Sequence, residues 1–486
     1  SFYNIFNNNV HMTKQMTAQM TTLLNLIRSN KLNQPLEISV QPPVPNDQYM
    51  KFENDPDEIR LMYDRLSSPE QSKKNFDYFI LAQQRIRICH MVHLISTLYA
   101  TMIGVQYSLH SVDLRCGIPT VHEELYECAT YEQWADILQN KLKIKIDSKF
   151  SLIQLSNGDE SYQSYLMYLS NGYNGNLKLT QKPVSKLTLL SLIISIHEKI
   201  SFERKYAKDR NMNWKVNSRP VIDSMIKHWE ILYLKSGGTL IMNETTLPII
   251  DNDSMSRIIV PMYFFAKSRR CVDFSQVVSK VWIKDWSGMN KLLQNITDDW
   301  EHFREATETA LTMIESWINI VSSIYTIPNV MKKNHGYKTP VFTITCIFTS
   351  VLLISEYLKH IEVWVTNNLN QSNMVELSKA DKVLFFKAAK VMKKIQDVLL
   401  PMDHDKIKSS YVEFLKQQAA TFDHFDELWE TPPSSNDDLM ETATLIQKLS
   451  LSSKALYLGV KILSDAPIWP ISLLFAHAFQ SRALYN

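Results

Sequence analysis

The chain is 486 residues long, 45% hydrophobic and 21% charged, which excludes wholesale disorder and supplies one very large core or two to three ordinary ones. Its 10 glycines argue against Gly-rich phosphate loops, dinucleotide fingerprints and abundant tight hairpins, all of which need backbone conformations that glycine adopts at little cost. A net charge of +2 gives no global basic field for nucleic acid, and five cysteines without a CxxC pair read as reduced thiols inside a cell. Helices joined by polar, proline-containing loops remain, so the expected fold is all-α with no substantial sheet.

From the N-terminus, Met12, Met16, Met20, Leu23, Leu24 and Ile27 recur at helical spacing and predict a helix from about Val10 to Arg28, the methionines acting as soft packing. Four prolines make Asn33–Asp47 an extended connector that cannot be helix. Asp55 before Pro56, and Ser68 before Pro69, each place a capping side chain ahead of a first-turn proline, so a helix should start at each. The second leads into a long helix with no Asp, Glu, Lys or Arg between Arg87 and Asp113. Ile88, Met91, Val92, Ile95, Leu98 and Tyr99, continued by Met102, Val105 and Leu109, have the spacing of a face that must be covered. A second line of small or polar residues, His90, Thr97, Thr101, Gly104 and Ser108, lets another helix approach closely. The run exceeds the roughly 20 residues of a membrane span. Its three histidines, glutamine and hydroxyls need partners that lipid does not offer, which points to a core helix. Cys89 and His93 lie one turn apart but lack the further ligands that zinc requires.

Residues 84–134 carry a basic start at Arg85 and Arg87, an apolar helix, a Gly-x-Pro turn at Gly117 and Pro119, and an acidic segment at Glu123, Glu124 and Glu127. This order resembles the signature of the middle homology domain of fungal zinc-cluster regulators. Ile118 stands where that family usually has arginine, and Cys128-Ala129 where it has Leu-Pro. The resemblance implies a non-catalytic dimerisation and scaffolding body of a nuclear DNA-binding protein. It also implies a six-cysteine module holding two zinc ions upstream of Ser1, with no metal or cofactor in this chain. An apolar C-terminus and no acidic tail bring the kinetochore branch closest. There the implied form is a homodimer placed on centromeric DNA through the absent zinc modules, holding an F-box protein and other kinetochore subunits at the centromere, with no membrane contact. The alternative is a ligand-responsive transcription regulator with an internal apolar small-molecule site. A helical-repeat adaptor is disfavoured, because no period of about 20 to 50 residues recurs.

Beyond the turn, Tyr131–Leu142 predicts a short amphipathic helix anchored by Trp134 and Ile137. Ser156–Glu160 and Asn171–Asn176 read as loops with a short helix between them. Lys186–Lys205, apolar nearly all round in its middle, predicts an internal helix, and Arg219–Lys235 another, stopped by Gly237 and Gly238. The polar stretch Asn243–Asp253 divides the chain into an N-terminal half, 1–242, and a C-terminal half, 243–486, expected to pack into one body. In the second half Leu293, Ile296, Trp300, Phe303, Ala310, Ile314, Trp317, Val321 and Ile324 alternate steps of three and four, with Thr307 at the interrupted position. That seam suits either a core helix or a dimer contact, two tryptophans being bulky for the latter.

Pro340–Ser355 is an uncharged run that predicts a buried helix. Asp381–Leu399 predicts a helix with Lys387, Lys390 and Lys394 on one face; with Lys267, Arg269 and Arg270 these are candidate phosphate contacts or a solvated charged surface. Thr431–Asp438 reads as a loop. Ala466–Asn486, around Trp469 and Phe475, is apolar enough to dock on the body. No HExxH, Walker or GxSxG motif occurs, and His197-Glu198 and Asp403-His404-Asp405 are sequence neighbours whose side chains point apart, so no enzymatic activity is expected.

Overall fold

The computed structural model describes residues 10–44, 68–103, 109–171, 182–240, 253, 255–294, 296, 299–325, 341–369, 377–399, 443, 446–447, 449–464 and 470–485. Among them the secondary structure is helical throughout, with no strand, as the composition predicts. The expected helix start at Asp55-Pro56, the Asn243–Asp253 divide up to its last residue and the Thr431–Asp438 loop lie outside the described residues. So do Gly104, Val105, Ser108 and Trp469. The chain forms two compact units, one of Gln15–Ala100 with Val105–Thr239, the other of Ser1–Lys14, Thr101–Gly104 and Leu240–Asn486.

The first unit takes its early helices from Gln15 onward in α1 (Val10–Ser29) and up to Ala100 in the long α2 (Pro69–Ile103). Ser68 caps α2 by accepting the Gln71 amide at 3.2 Å, and Pro69 takes the first turn, where its missing N–H costs nothing. The proline connector is not wholly extended: Leu36–Ile38 forms a 3₁₀ turn, because the Pro35 carbonyl can still accept from Ile38 and Leu36 is buried. After the Gly-x-Pro turn come α3 (Glu123–Tyr126) and α4 (Tyr131–Asp136). Helix α4 widens into a π-turn at Ile137–Leu142 that ends on Lys143 at φ +55°. The wide turn sets Leu138 beside Trp134 in one cluster with Phe79 and Leu125, so Leu138 is the deeper anchor and Ile137 packs at the edge. Helix α5 (Lys149–Asn157) takes in Ser156 and Asn157, expected as loop, and stops at Gly158 with φ +93°. Helices α6 (Tyr162–Asn171), α7 (Lys186–Asp209), α8 (Trp214–Asn217) and α9 (Arg219–Lys235) complete the unit, with α9 packed on both α6 and α7. Gly237, at φ +81°, closes α9 in a Schellman arrangement in which the Gly238 amide reaches the Tyr233 carbonyl at 2.9 Å.

The second unit contains α10 (Ser256–Cys271), α11 (Ser275–Trp282), α12 (Trp286–Gln294), α13 (Trp300–Tyr325), α14 (Val341–Leu369), α15 (Lys379–Leu399), α16 (Leu451–Ser464) and α17 (Pro470–Tyr485). Helix α14 is the axis: α10, α13, α16 and α17 all pack against it, and α15 lies on α13 and α16. It is the one helix among the described residues long and apolar enough to cross a membrane, yet most of its apolar stretch is buried inside the protein. The heptad seam does not run through a single helix from Leu293. Leu293 belongs to α12, Ile296 sits in the break, and α13 starts at Trp300, where the Asp299 carbonyl accepts the Phe303 amide.

Candidate functional site

Helix α2 buries Val92, Leu98 and Tyr99 of the expected apolar face and His90, Thr97 and Thr101 of the small and polar line, but Ile88 and Met91 are 48% and 40% exposed while Gln83 and His93 are buried. Specific partners hold Gln83, His90 and His93 inward. Gln83 Nε2 donates to the Ser156 carbonyl at 2.7 Å while its Oε1 accepts the Thr120 amide at 2.9 Å, tying α2 to α5 and to the turn. His90 Nε2 lies 3.0 Å from the Gly117 carbonyl and Nδ1 2.8 Å from the Ser191 hydroxyl on α7. A carbonyl only accepts, so Nε2 carries the proton and Nδ1 takes the hydroxyl. The chain of hydroxyls continues from Ser191 to Tyr162 at 3.0 Å and from Tyr162 to Ser195 at 2.7 Å.

One turn along α2 and α7, Glu198 is the hub of a second group. Its carboxylate lies 3.3 Å from His93 Nε2 and 2.6 Å from His110 Nδ1, and it accepts the Ser111 amide at 3.0 Å. Burial pushes this carboxyl up, but the His93 hydrogen bond and charge, the Ser111 amide and His110 together hold it down at about 2. His90 is shifted the other way in charge terms. Burial in an apolar surround pushes its imidazole down to about 4, against the pull of the Gly117 carbonyl, so it is neutral at physiological pH. Glu198, expected to make no dyad with its chain neighbour His197, reaches across to α2 and to the 3₁₀ turn Ser111–Asp113. A buried run such as SLIISIHE holding one carboxylate is the signal that asks for cross-helix partners.

The signature residues form a clasp next to this network. Arg87 pairs with Glu123 at 2.6 Å and lies 4.0 Å over the Tyr126 ring, so the basic helix start and the acidic segment neutralise each other. Glu124 pairs with Lys141 at 3.2 Å, and Arg85 donates to the Lys31 carbonyl at 2.7 Å. Gly117 has φ +100°, and a Cβ there would fall 2.5 Å from the Asn157 carbonyl oxygen; Pro119 is buried two residues on. On the far side of the turn lies an open cleft of about 810 Å³, lined by Ile118, His122, Lys145, Tyr165, Lys182 and Val184 among others. The histidine–glutamate network does not line it, so those titratable groups have no route to a substrate there. Among the described residues no His, Cys, Asp or Glu cluster could hold a metal ion, and Cys89 and His93 serve as core side chains.

In the second unit the seam residues Phe303, Ile314 and Trp317 are buried among the unit's own helices. Trp300 stacks on Tyr357 at 4.9 Å and its Nε1 donates to Asp381 at 3.4 Å. The Val321 side chain lies outside the description. The candidate phosphate contacts do not gather into one basic surface. Arg269 is buried near the Phe265 ring and Arg270 pairs with Glu305. Lys387 reaches Thr312 at 3.2 Å, with Glu308 at 3.9 Å, while Lys390 is exposed and Lys394 half-buried. A void between α13, α14, α15 and α16 measures about 20 Å³ and is walled by Leu311, Ile314, Val351, Met392 and Leu458 among others.

No family model and no solved structure matches the chain. Over its whole length it is similar to two proteins of Saccharomyces cerevisiae: 44% identical over 506 residues to one named respiration factor 2, and 40% identical over 498 to one named probable transcription factor TDA9. The chain spans 36% and 39%, respectively, of those two proteins.

Proposed function

We propose that this chain is the helical, non-catalytic body of a larger nuclear transcription regulator, acting through protein contacts while another part of the same protein reads DNA. The observation that carries this reading is the 40% identity, across the entire chain, to a protein named a probable transcription factor. Two features support it. The buried titratable groups of the first unit are engaged with one another rather than presented to a ligand, and a net charge of +2 supplies little attraction for DNA. A zinc module outside this chain is the proposed reader, and a homodimer the proposed state. DNA-binding assays on the 486-residue chain and on the whole protein test this: the whole protein should bind specifically and lose that binding to a zinc chelator. Tight sequence-specific binding by the 486-residue chain alone would end the reading.

The centromere-specific version, with kinetochore subunits and an F-box protein as partners, has no support in the names of the two relatives. The ligand-responsive version gains one specific support, the open cleft beside the Gly-x-Pro turn. Its volume falls in the range of small-molecule sites, whereas the void of about 20 Å³ in the second unit is too small for one. A ligand of that kind would sit against Ile118, Tyr165 and Val184, and should raise the unfolding temperature of this chain in a metabolite screen.

A further inference from the structure

The end of α7 and the residues after it carry a surface that neither the clasp nor the cleft uses. From Lys199 to Asp223 there are seven Lys and Arg against three acids, Lys199 pairing with Glu203 at 2.7 Å and Arg219 with Asp223 at 3.5 Å, while the whole chain nets only +2. Aromatic rings hold several of these cations in place. The Arg204 guanidinium lies 4.1 Å over Trp214, Arg210 lies 4.7 Å over Tyr206, and the Lys199 ammonium 5.9 Å over Phe202. Large apolar side chains stand exposed among them, Phe202 at 58% and Val216 at 69%. Cations at a helix C-terminus complement its dipole, which accounts for Lys205 and Lys208 in the last turns of α7. It does not account for leaving Phe202 and Val216 in water.

We propose that this surface binds an acidic protein segment in which carboxylates alternate with large apolar side chains. The charge excess attracts the carboxylates, and the exposed Phe202 and Val216 give the apolar side chains a place to leave water. A phosphodiester backbone would use the cations but has no need of the apolar surface, so duplex DNA is the less complementary partner. The inference stands apart from the regulatory role proposed above, because it concerns only the chemistry of this surface.

Fluorescence anisotropy with the 486-residue chain tests it. The probe is a labelled peptide of about eighteen residues, alternating Asp and Glu with Phe and Leu. Its controls are the same peptide with Ser at every Phe and Leu, and a duplex DNA of similar charge. The acidic–apolar peptide should bind with a Kd on the order of micromolar, at least about tenfold tighter than either control. Phe202→Ser and the pair Lys205→Glu with Lys208→Glu should each weaken it about tenfold, with raised salt weakening the wild type and Phe202→Ser alike. All three changed side chains are exposed, and unchanged urea midpoints would show that the variants are folded. Equal binding of the Ser peptide, preference for DNA, no saturable binding, or affinity indifferent to both variants would each overturn the proposal.

Discussion

His90 is neutral because it is buried, and that makes it a pH-sensitive part of the fold. Its folded pKa of about 4 lies below the ordinary 6.5, so the unfolded chain takes up a proton first as the medium is acidified. Its contribution is complete above pH 6.5 and is lost as pH falls through about 4, on the order of 3 kcal/mol in all. Glu198 follows in the next window. Its carboxyl is depressed to about 2 from 4.5, so what it contributes is present above pH 4.5 and lost on the way down to about 2. Urea midpoints should therefore fall steadily from pH ~7 to ~4, and His90→Gln should flatten that slope. Gly117→Ala forces a positive φ on alanine and drives its Cβ into Asn157, so a loss of more than about 1 kcal/mol should appear in the same titration. Gly117 was visible in the sequence because a Gly-x-Pro turn advertises its backbone. Glu198 was not, because its partners His93 and His110 are separated from it by about a hundred and about ninety residues and only the fold brings them together.

At the scale of elements, legibility followed the strength of local signals. Helix α9 runs from Arg219 to Lys235 as its spacing predicts, since Pro220 fixes its start and Gly237 its end. Helix α2 buries Val92, Leu98 and Tyr99 as its spacing predicts, but Ile88 and Met91 stay exposed while Gln83 and His90 turn inward, because hydrogen bonds to α5 and to the turn hold those two polar side chains. The break between α12 and α13 was hidden for a related reason, as Leu293 and Ile296 keep the seam's rhythm while the backbone turns. Gly459 shows what an element can demand of one residue. A Cβ there would meet Val351 at 2.6 Å and the Phe479 ring at 2.8 Å, so α14, α16 and α17 approach each other through that glycine. Gly459→Leu should cost on the order of 1–3 kcal/mol by overpacking, measured as a shift of the urea midpoint without change in slope.

For the molecule as a whole, the proposed dimer must use a surface other than the seam, since Phe303, Ile314 and Trp317 are occupied within the second unit. Sedimentation should show two copies together at micromolar concentration, and Trp317→Ala should lower stability rather than split them. A variant that stays fully stable yet becomes monomeric would restore the seam as a contact between copies. The all-helical class was legible from ten glycines and from helical spacing alone. The pairing of helices was not, because it depends on which buried charges find partners.

One such pair sets the order in which the second unit can be completed. Arg482 on α17 donates to both oxygens of Glu356 on α14, each at 2.6 Å, with both side chains sealed from water. About two turns away on the same two helices, Phe475 stacks on Phe348 at 4.2 Å. The axis of the unit is thus finished by the last of its helices to leave the ribosome. A nascent chain paused before Pro470 holds Glu356 without its counter-ion and leaves the apolar surface that α17 covers open to water. Such arrested chains should be cleaved by protease within α14 and bound by chaperones, becoming resistant only once Arg482 has been translated and has emerged.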